Sequence, residues 1–130
     1  MSRRILIVED AETAAATLEI ALTNIPDVEV ARVRDGQGAL EYLAPESGRA
    51  IDAVVTDLEM PFVDGFELVR RLRGDRRFGR VPIVVVSGSQ DPRAPERVLG
   101  LGADAYFAKP WSALALRRKV EELLNQTRTS

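Results

Sequence analysis

Acidic side chains and one lysine follow the apolar segments of this sequence at the points where those segments end. Glu9 and Asp10 come directly after "ILIV", Asp57 and Glu59 end "VVTDLE", and Lys109 follows "AYFA". Carboxylates gathered at one crevice repel one another, so they either raise a pKa or recruit a cation. Oxygen ligands of this kind suit a hard divalent ion, most often Mg²⁺. The residue types therefore indicate a metal site.

The polar residues Ser87-Gly88-Ser89 end another apolar segment, "VPIVVV". Their hydroxyl and N–H groups could donate hydrogen bonds to a phosphate group. A metal would neutralise charge, Lys109 would pair with a phosphoryl oxygen, and Ser87 would donate a hydrogen bond. Together these groups predict a site that binds a phosphoryl group.

The composition excludes several classes of function. The 130 residues contain no His and no Cys, which excludes thiolate enzymes, histidine triads and disulfide scaffolds. The chain cannot carry a phosphohistidine, so in a phosphorelay it could receive a phosphoryl group only on an acid or a hydroxyl. A net charge of −2 and a pI near 5.3 disfavour non-specific nucleic-acid binding.

Five apolar, β-branched segments alternate with helical patterns along the chain. The segments are residues 5–8, 28–33, 51–56, 81–87 and 105–108. Three helical faces are clear: Ala14, Ala15, Leu18, Ala21, Leu22 and Ile25; then Gly65, Leu68, Val69 and Leu72; then Ala113, Leu116, Val120, Leu123 and Leu124. A short second helix is expected around 37–44, and a fourth starting near Pro95 and ending before Gly100 or Gly102.

Apolar strands alternating with helices predict an α/β fold with a parallel sheet covered on both faces. We expect a flavodoxin-like (βα)5 three-layer sandwich with strand order 2-1-3-4-5. Its crevice would lie between the first and third strands at their carboxyl ends, the edge that carries the polar residues.

The chain reads as one domain, residues 1–125, followed by a loose C-terminal tail, residues 126–130. No apolar run approaches the roughly 20 residues of a membrane helix, so no membrane insertion is expected. Neither end resembles a targeting peptide, and we expect a cytoplasmic protein.

Four motifs in order resemble the receiver domain of bacterial two-component response regulators, above all stand-alone receivers of the chemotaxis type. They are "ILIVED" (5–10), "VVTDLEMPFVDGFEL" (54–68), "IVVVSGS" (83–89) and "GADAYFAKPW" (102–111), and the resemblance covers essentially the whole chain. It implies a phosphoacceptor switch of a two-component phosphorelay. Such a module is not an enzyme in the usual sense, although it catalyses its own phosphorylation and dephosphorylation.

The resemblance also implies a role for each candidate residue. Asp57 would accept a phosphoryl group from a phosphohistidine on a sensor histidine kinase or phosphotransfer protein. Mg²⁺, or alternatively Mn²⁺, would be held by Asp10, by Asp57, by the backbone carbonyl of Glu59, and by Glu9 through water. Ser87, the Gly88 N–H and Lys109 would contact the phosphoryl oxygens, and Pro110 would follow a cis peptide bond that positions the lysine. Tyr106 would be the aromatic residue that changes position on phosphorylation. The side chains of Glu59 and Ser89 would tune the rate at which the aspartyl phosphate is hydrolysed.

The implied output surface is the face formed by the fourth helix, fifth strand and fifth helix. Because the chain ends soon after its fifth helix, we expect a stand-alone receiver that acts by binding an unidentified downstream protein, with a homodimer through the same face as a further expectation. The alternative that this sequence is a receiver excised from a larger regulator or hybrid kinase fits the residues as well.

Two other functions fit the same residues less well. A metal-dependent phosphohydrolase acting through an aspartyl phosphate commonly has a second aspartate two residues after the nucleophile, where this chain has Glu59. It would also need an inserted cap, which the sequence lacks. A receiver-like domain that is never phosphorylated would not need the set Asp10, Asp57, Ser87 and Lys109.

The segment "RRLRGDRRFGR" (70–80) carries six arginines and raises the question of nucleic-acid binding. Arg70, Arg71 and Arg73 fall off the apolar face of the third helix, so we expect them to point to solvent. With no interleaved aromatic residues and an acidic balance overall, we expect no direct nucleic-acid contact. An acidic protein partner fits this segment better.

Overall fold

The computed structural model describes residues 2–48 and 50–129. Its strands are β1 (Arg3–Val8), β2 (Val28–Val33), β3 (Ala53–Thr56), β4 (Ile83–Ser87) and β5 (Ala105–Ala108). Its α-helices are α1 (Glu12–Thr23), α2 (Gly36–Tyr42), α3 (Gly65–Arg73), α4 (Ala94–Gly100) and α5 (Ala113–Thr129). Two 3₁₀ turns, Pro45–Ser47 and Arg76–Phe78, lie in the connections that follow α2 and α3.

The five strands form one parallel sheet in the order β2-β1-β3-β4-β5, which confirms the predicted flavodoxin-like topology. β1 and β3 are neighbours, with Val8 opposite Thr56 at their last paired position. The residues that follow each strand therefore emerge side by side, and this register brings Glu9 and Asp10 next to Asp57.

The sheet is covered on both faces because successive strand residues point to opposite sides. One face, including Leu6, Val54 and Val85, packs against α2, α3 and α4. The other, including Ile5 and Val55, packs against α1 and α5. Burying one such side chain contributes about 1.5–3 kcal/mol, which explains why the strands read as continuous apolar runs.

The predicted helices are present with small differences at their ends. α4 begins at Ala94, one residue before the expected start, and ends at Gly100. β4 begins after Pro82, which has no N–H to contribute to a strand ladder. Residues of the expected tail from 126 onward continue α5 as far as Thr129, and Ser130 lies outside the described residues.

The predicted apolar faces are buried, with two exceptions. On α3 the buried residues are those expected, and Asp64 caps the helix by accepting a hydrogen bond from the N–H of Glu67 at 2.9 Å. Ala14 of α1 is only partly buried, and Ala113 at the start of α5 is exposed. Both lie in the first turn of a helix.

The prediction that Arg73 points to solvent is wrong, because its side chain is packed against other parts of the chain. Its guanidinium donates to the carbonyls of Gly102 at 2.8 Å, Phe78 at 2.8 Å and Val81 at 2.7 Å. It also pairs with Asp104 at 2.9 Å, and the side chain is only 18% exposed. The side chain extends from the last residue of α3 and supplies donors to carbonyls in the connections before β4 and β5. Arg70 and Arg71 are exposed, as predicted.

We expect Arg73→Met to lower the free energy of unfolding by about 1–3 kcal/mol, because the carbonyls it serves lose a charged donor. Urea unfolding followed by circular dichroism measures this change. Arg71→Met is the matched control, since Arg71 is exposed and, within residues 2–48 and 50–129, makes only a 3.7 Å pair with Glu67. Equal stability of the two variants would contradict the structural role of Arg73.

Candidate functional site

Asp57 directly follows β3 and is only 7% exposed. Its Oδ1 atom accepts hydrogen bonds from the backbone N–H groups of Leu58 at 2.7 Å and Glu59 at 3.3 Å. Its own N–H donates to the carbonyl of Val8 at 3.0 Å, which ties it to the neighbouring strand. The backbone thus holds one carboxylate oxygen and leaves Oδ2 available for a further partner.

Lys109 supplies that partner from the end of β5. Its Nζ lies 3.7 Å from Asp57 Oδ2 and 3.3 Å from Glu9 Oε1. Its backbone N–H donates to the carbonyl of Ser87 at 2.9 Å, and the predicted cis peptide bond joins it to Pro110. One partly exposed ammonium group therefore lies between two buried carboxylates, which offsets part of their repulsion.

Glu9 and Asp10 directly follow β1, and their side chains have different surroundings. Glu9 is 2% exposed, and its Oε2 accepts the N–H of Ala11 at 3.2 Å. Asp10 is exposed, and no hydrogen bond or ion pair to its carboxylate is found in residues 2–48 and 50–129. Asp10 is therefore the acid of this cluster that is free to bind a ligand from solvent.

Arg32 of β2 supports this acidic loop, a role that the sequence interpretation missed. Its guanidinium donates to the carbonyl of Glu9 at 3.3 and 3.4 Å and to that of Asp10 at 3.4 Å. It also bonds Glu12 at 3.0 Å and, with a smaller effect from Arg34, lowers the pKa of the Glu12 carboxyl below its usual value. A charged residue inside the apolar segment "VEVARV" was the available signal.

Ser87 and Ser89 lie at the end of β4, on the same edge of the sheet. Ser87 is fully buried, and its Oγ accepts the N–H of Ser89 at 3.0 Å, while Ser89 Oγ accepts the N–H of Asp91 at 3.2 Å. Neither hydroxyl bonds to Asp57 or Lys109 in the part of the chain that the structure describes. A Cβ at Gly88 would meet only the Lys109 side chain at 3.7 Å, so packing does not require glycine there.

Within the described residues, no hydrogen bond or ion pair joins the Tyr106 hydroxyl or the Glu59 carboxylate to Asp57, Glu9 or Lys109. Tyr106 is partly buried in β5 and packs against the core on the α3 and α4 side of the sheet. The backbone N–H of Glu59 donates to Asp57, while the residue itself is exposed. The structure thus joins Asp57, Glu9 and Lys109 by direct contacts and leaves Tyr106 and the Glu59 carboxylate outside them.

The sequence model of the family described as the response regulator receiver domain matches residues 5–121. The chain belongs to this family. The receiver domain is 30% identical to the chemotaxis protein CheY of Pseudomonas aeruginosa, over 95% of this chain and 97% of that protein. It is therefore a CheY-like receiver domain of a two-component response regulator.

Longer proteins contain related segments. The gliding motility regulatory protein of Myxococcus xanthus is 37% identical over 82% of this chain, but the match spans only 13% of that protein. The sensor histidine kinase TmoS of Ectopseudomonas mendocina is 33% identical over 94% of the chain, which is 12% of that kinase. The receiver domain thus spans about one eighth of these two relatives.

Among solved structures, the signal receiver domain of a signal transduction histidine kinase from Syntrophus aciditrophicus is similar throughout. It superposes with a TM-score of 0.88 and 32% identity, covering 99% of this chain and 95% of that one. Within the described residues, none of the helices of the receiver domain is long and apolar enough to span a bilayer.

The acidic crevice of the receiver domain can be tested for its fit to a metal ion. No group of three or more His, Cys, Asp or Glu side chains suited to a metal is present in residues 2–48 and 50–129. The carboxylates of Asp10 and Asp57 nevertheless lie at adjacent strand ends, and the Asp10 carboxylate accepts no hydrogen bond within these residues. Two carboxylates and a backbone carbonyl suit Mg²⁺, which usually keeps several waters. The residues therefore fit a partly hydrated ion.

Gly65 is a further supporting residue that the sequence interpretation placed only on a helix face. A Cβ at this position would lie 2.4 Å from the carbonyl oxygen of Asp57 and 2.6 Å from Cα of Leu58. The first turn of α3 thus packs directly against the backbone that carries Asp57. The dipeptide Asp64-Gly65, a capping residue followed by glycine, was the signal that could have revealed it.

Proposed function

We propose that this receiver domain is a phosphoacceptor switch that takes a phosphoryl group onto Asp57 from a phosphohistidine of a sensor histidine kinase or phosphotransfer protein. One observation carries the proposal: Lys109 Nζ lies between Asp57 Oδ2 and Glu9 Oε1, while Asp57 Oδ1 is held by two backbone N–H groups. A nucleophilic oxygen is therefore oriented beside a cation that can pair with an incoming phosphoryl oxygen.

In the proposed step, Asp57 Oδ2 attacks phosphorus while the bond from phosphorus to the donor's imidazole nitrogen breaks. The electron pair of that bond remains on the leaving imidazole, and an aspartyl phosphate forms. Mg²⁺, or alternatively Mn²⁺, would be held by Asp10, Asp57, the Glu59 carbonyl and, through water, Glu9, and would supply positive charge to the phosphoryl oxygens. Lys109 would exchange its contact with Asp57 for one with a phosphoryl oxygen.

We further propose that Ser87 and the Gly88 N–H donate to the phosphoryl group and that Tyr106 follows the movement of Ser87. Phosphorylation adds about −1.5 to −2 charges, and couplings between sites are typically about 1–3 kcal/mol. Because Ser87 Oγ bonds to the N–H of Ser89, its reorientation would also move the start of the connection to α4. The side chains of Glu59 and Ser89 would then tune hydrolysis of the aspartyl phosphate.

The proposed output face is that of α4, β5 and α5, to which a downstream protein or a second copy would bind. Leu99 on α4 and Leu114 on α5 are 44% and 46% exposed, and Trp111 between β5 and α5 is only partly buried. Receiver domains are signalling modules and not enzymes in the usual sense. A phosphohydrolase is not favoured, because the Glu59 carboxylate makes no hydrogen bond or ion pair with Asp57 or Lys109 within the described residues.

Acetyl phosphate with Mg²⁺ tests the proposal, using Lys109→Met as the informative variant. We expect wild-type protein to acquire one acid-stable, hydroxylamine-sensitive phosphoryl group, and Lys109→Met to acquire it about 100-fold more slowly, as is typical when a charge-stabilising donor is lost. Mg²⁺ affinity, measured by calorimetry, should be equal or higher in the variant, because a competing positive charge is removed.

Lys119→Met is the matched control, because Lys119 is the other lysine of the chain and its side chain, 35% exposed, resembles that of Lys109, 33% exposed. Its labelling rate should equal that of the wild type. Absence of label on wild-type protein would refute the proposed function, and equal rates for Lys109→Met and Lys119→Met would refute the role of Lys109.

A further inference from the structure

A cleft of about 710 Å³ lies at the edge of the sheet opposite Asp57, where the strands begin. Arg3 opens β1, Asp52 precedes β3 and Pro82 precedes β4, while the connection after α3 and Leu124 of α5 form its sides. This volume falls within the range of about 300–1,000 Å³ that is usual for small-molecule sites. The phosphoacceptor site uses none of these residues.

Among the described residues, four arginines line this cleft: Arg3, Arg76, Arg77 and Arg80. The guanidinium of Arg77 is satisfied, since it pairs with Asp75 at 2.8 Å and donates to the carbonyl of Leu43 at 2.7 Å. Arg76 and Arg80 are exposed, and neither guanidinium has a hydrogen bond or ion pair across residues 2–48 and 50–129. The guanidinium groups of Arg76 and Arg80 are therefore free to donate hydrogen bonds to a ligand in the cleft.

The acidic side chain in the lining does not neutralise these arginines. Asp52 directs Oδ2 to the backbone N–H of Arg4 at 2.7 Å, and no ion pair joins it to an arginine within the described part of the chain. The cleft therefore carries an excess of positive charge, although the chain as a whole has a net charge of −2.

Arg3 adds a further guanidinium with few partners to the lining of the cleft. Its Nε is the buried side-chain polar atom that lacks a hydrogen-bond partner among the described residues. Its Nη1 makes only a long contact of 3.4 Å with Asn125. A buried donor without an acceptor is unfavourable and rare in folded proteins. An anion in the cleft would compensate the charge of this guanidinium.

We propose that the arginine cleft binds the phosphate groups of a small phosphorylated molecule of nucleotide size. Guanidinium groups bind phosphate through paired, charge-assisted hydrogen bonds, which suits Arg76 and Arg80. The rest of the lining includes the apolar residues Ile51, Val81, Pro82 and Leu124, of which Val81 is partly exposed and the others are buried. A cleft of this volume that combines free guanidinium groups with some apolar lining suits a nucleotide better than a bare inorganic anion.

Isothermal titration calorimetry without divalent ions tests this proposal with four probes: inorganic phosphate, pyrophosphate, ADP and GDP. We expect at least one nucleotide to bind more tightly than either inorganic anion, and its affinity to fall as salt is added. In the double variant Arg76→Ala/Arg80→Ala the affinity should fall at least about tenfold, the loss expected for one charged hydrogen bond.

The control double variant, Arg71→Ala/Arg118→Ala, removes the same charge from exposed helix positions outside the cleft and should bind as the wild type does. Pyrophosphate binding as tightly as the nucleotides would overturn the nucleotide-sized ligand. No heat with any probe, or equal affinities in the wild type and Arg76→Ala/Arg80→Ala, would overturn the site. Neither result depends on phosphorylation of Asp57.

Discussion

Asp57→Asn is expected to abolish acid-stable, hydroxylamine-sensitive labelling of the receiver domain by acetyl phosphate and Mg²⁺. Asparagine has the shape of aspartate and keeps a carbonyl oxygen for the N–H groups of Leu58 and Glu59, which Oδ1 accepts at 2.7 and 3.3 Å. The amide nitrogen that replaces Oδ2 has no lone pair available for attack on phosphorus and no charge to hold a cation. The loss should be complete, because Asp57 is the carboxylate that the backbone N–H groups and Lys109 orient for attack.

The fold should survive this substitution, which separates loss of chemistry from loss of structure. We expect the free energy of unfolding to change by less than about 1 kcal/mol, because the backbone hydrogen bonds are retained and repulsion between Asp57 and Glu9 is relieved. Asp27→Asn is the matched control, since Asp27 is exposed and has a φ of 59°, a conformation that asparagine tolerates. Label on Asp57→Asn that equals that of Asp27→Asn would exclude Asp57 as the acceptor.

The fold and the edge that carries the site were predictable because both depend on local patterns. Continuous apolar strands alternating with helices require a parallel sheet, and the residues after each strand must then meet at one edge. The contact of Lys109 with Asp57 and Glu9 follows from that placement. The predicted acids and lysine are therefore neighbours in space although they lie up to 100 residues apart in sequence.

The sequence interpretation missed the roles of two arginines and one glycine. The arginines contact distant backbone groups through long side chains, and the glycine matters because it has no side chain. Arg73 was expected in solvent because helical periodicity reports the direction of Cβ and not where a flexible guanidinium ends. Arg32 reaches carbonyls of the loop after β1 from β2, a contact set by strand register. Gly65 is required by the closeness of another backbone, which the apolar periodicity of its own helix does not reveal.

Gly65→Ala is expected to lower the free energy of unfolding by about 3 kcal/mol or more, the upper part of the range for overpacked sites. The new Cβ would lie 2.4 Å from the carbonyl oxygen of Asp57 and 2.6 Å from Cα of Leu58, and both are backbone atoms that no rotamer change can move aside. Either α3 must move away from β3 or the turn after Asp57 must shift. Urea unfolding measures the cost in stability.

The same shift should slow phosphorylation, because the turn being displaced is the one whose N–H groups orient Asp57 Oδ1. A misplacement near 1 Å can cost about 100-fold in rate, so protein that is still folded should be labelled by acetyl phosphate at least about tenfold more slowly. Gly100→Ala is the matched control: nothing lies within 4 Å of its Cβ position, and its stability should stay within about 1 kcal/mol of the wild type. If Gly65→Ala had the same free energy of unfolding and the same labelling rate as Gly100→Ala, the packing of α3 would not be what holds Asp57 in position. A loss of stability without a loss of rate would show that α3 moves while the Asp57 turn stays in place.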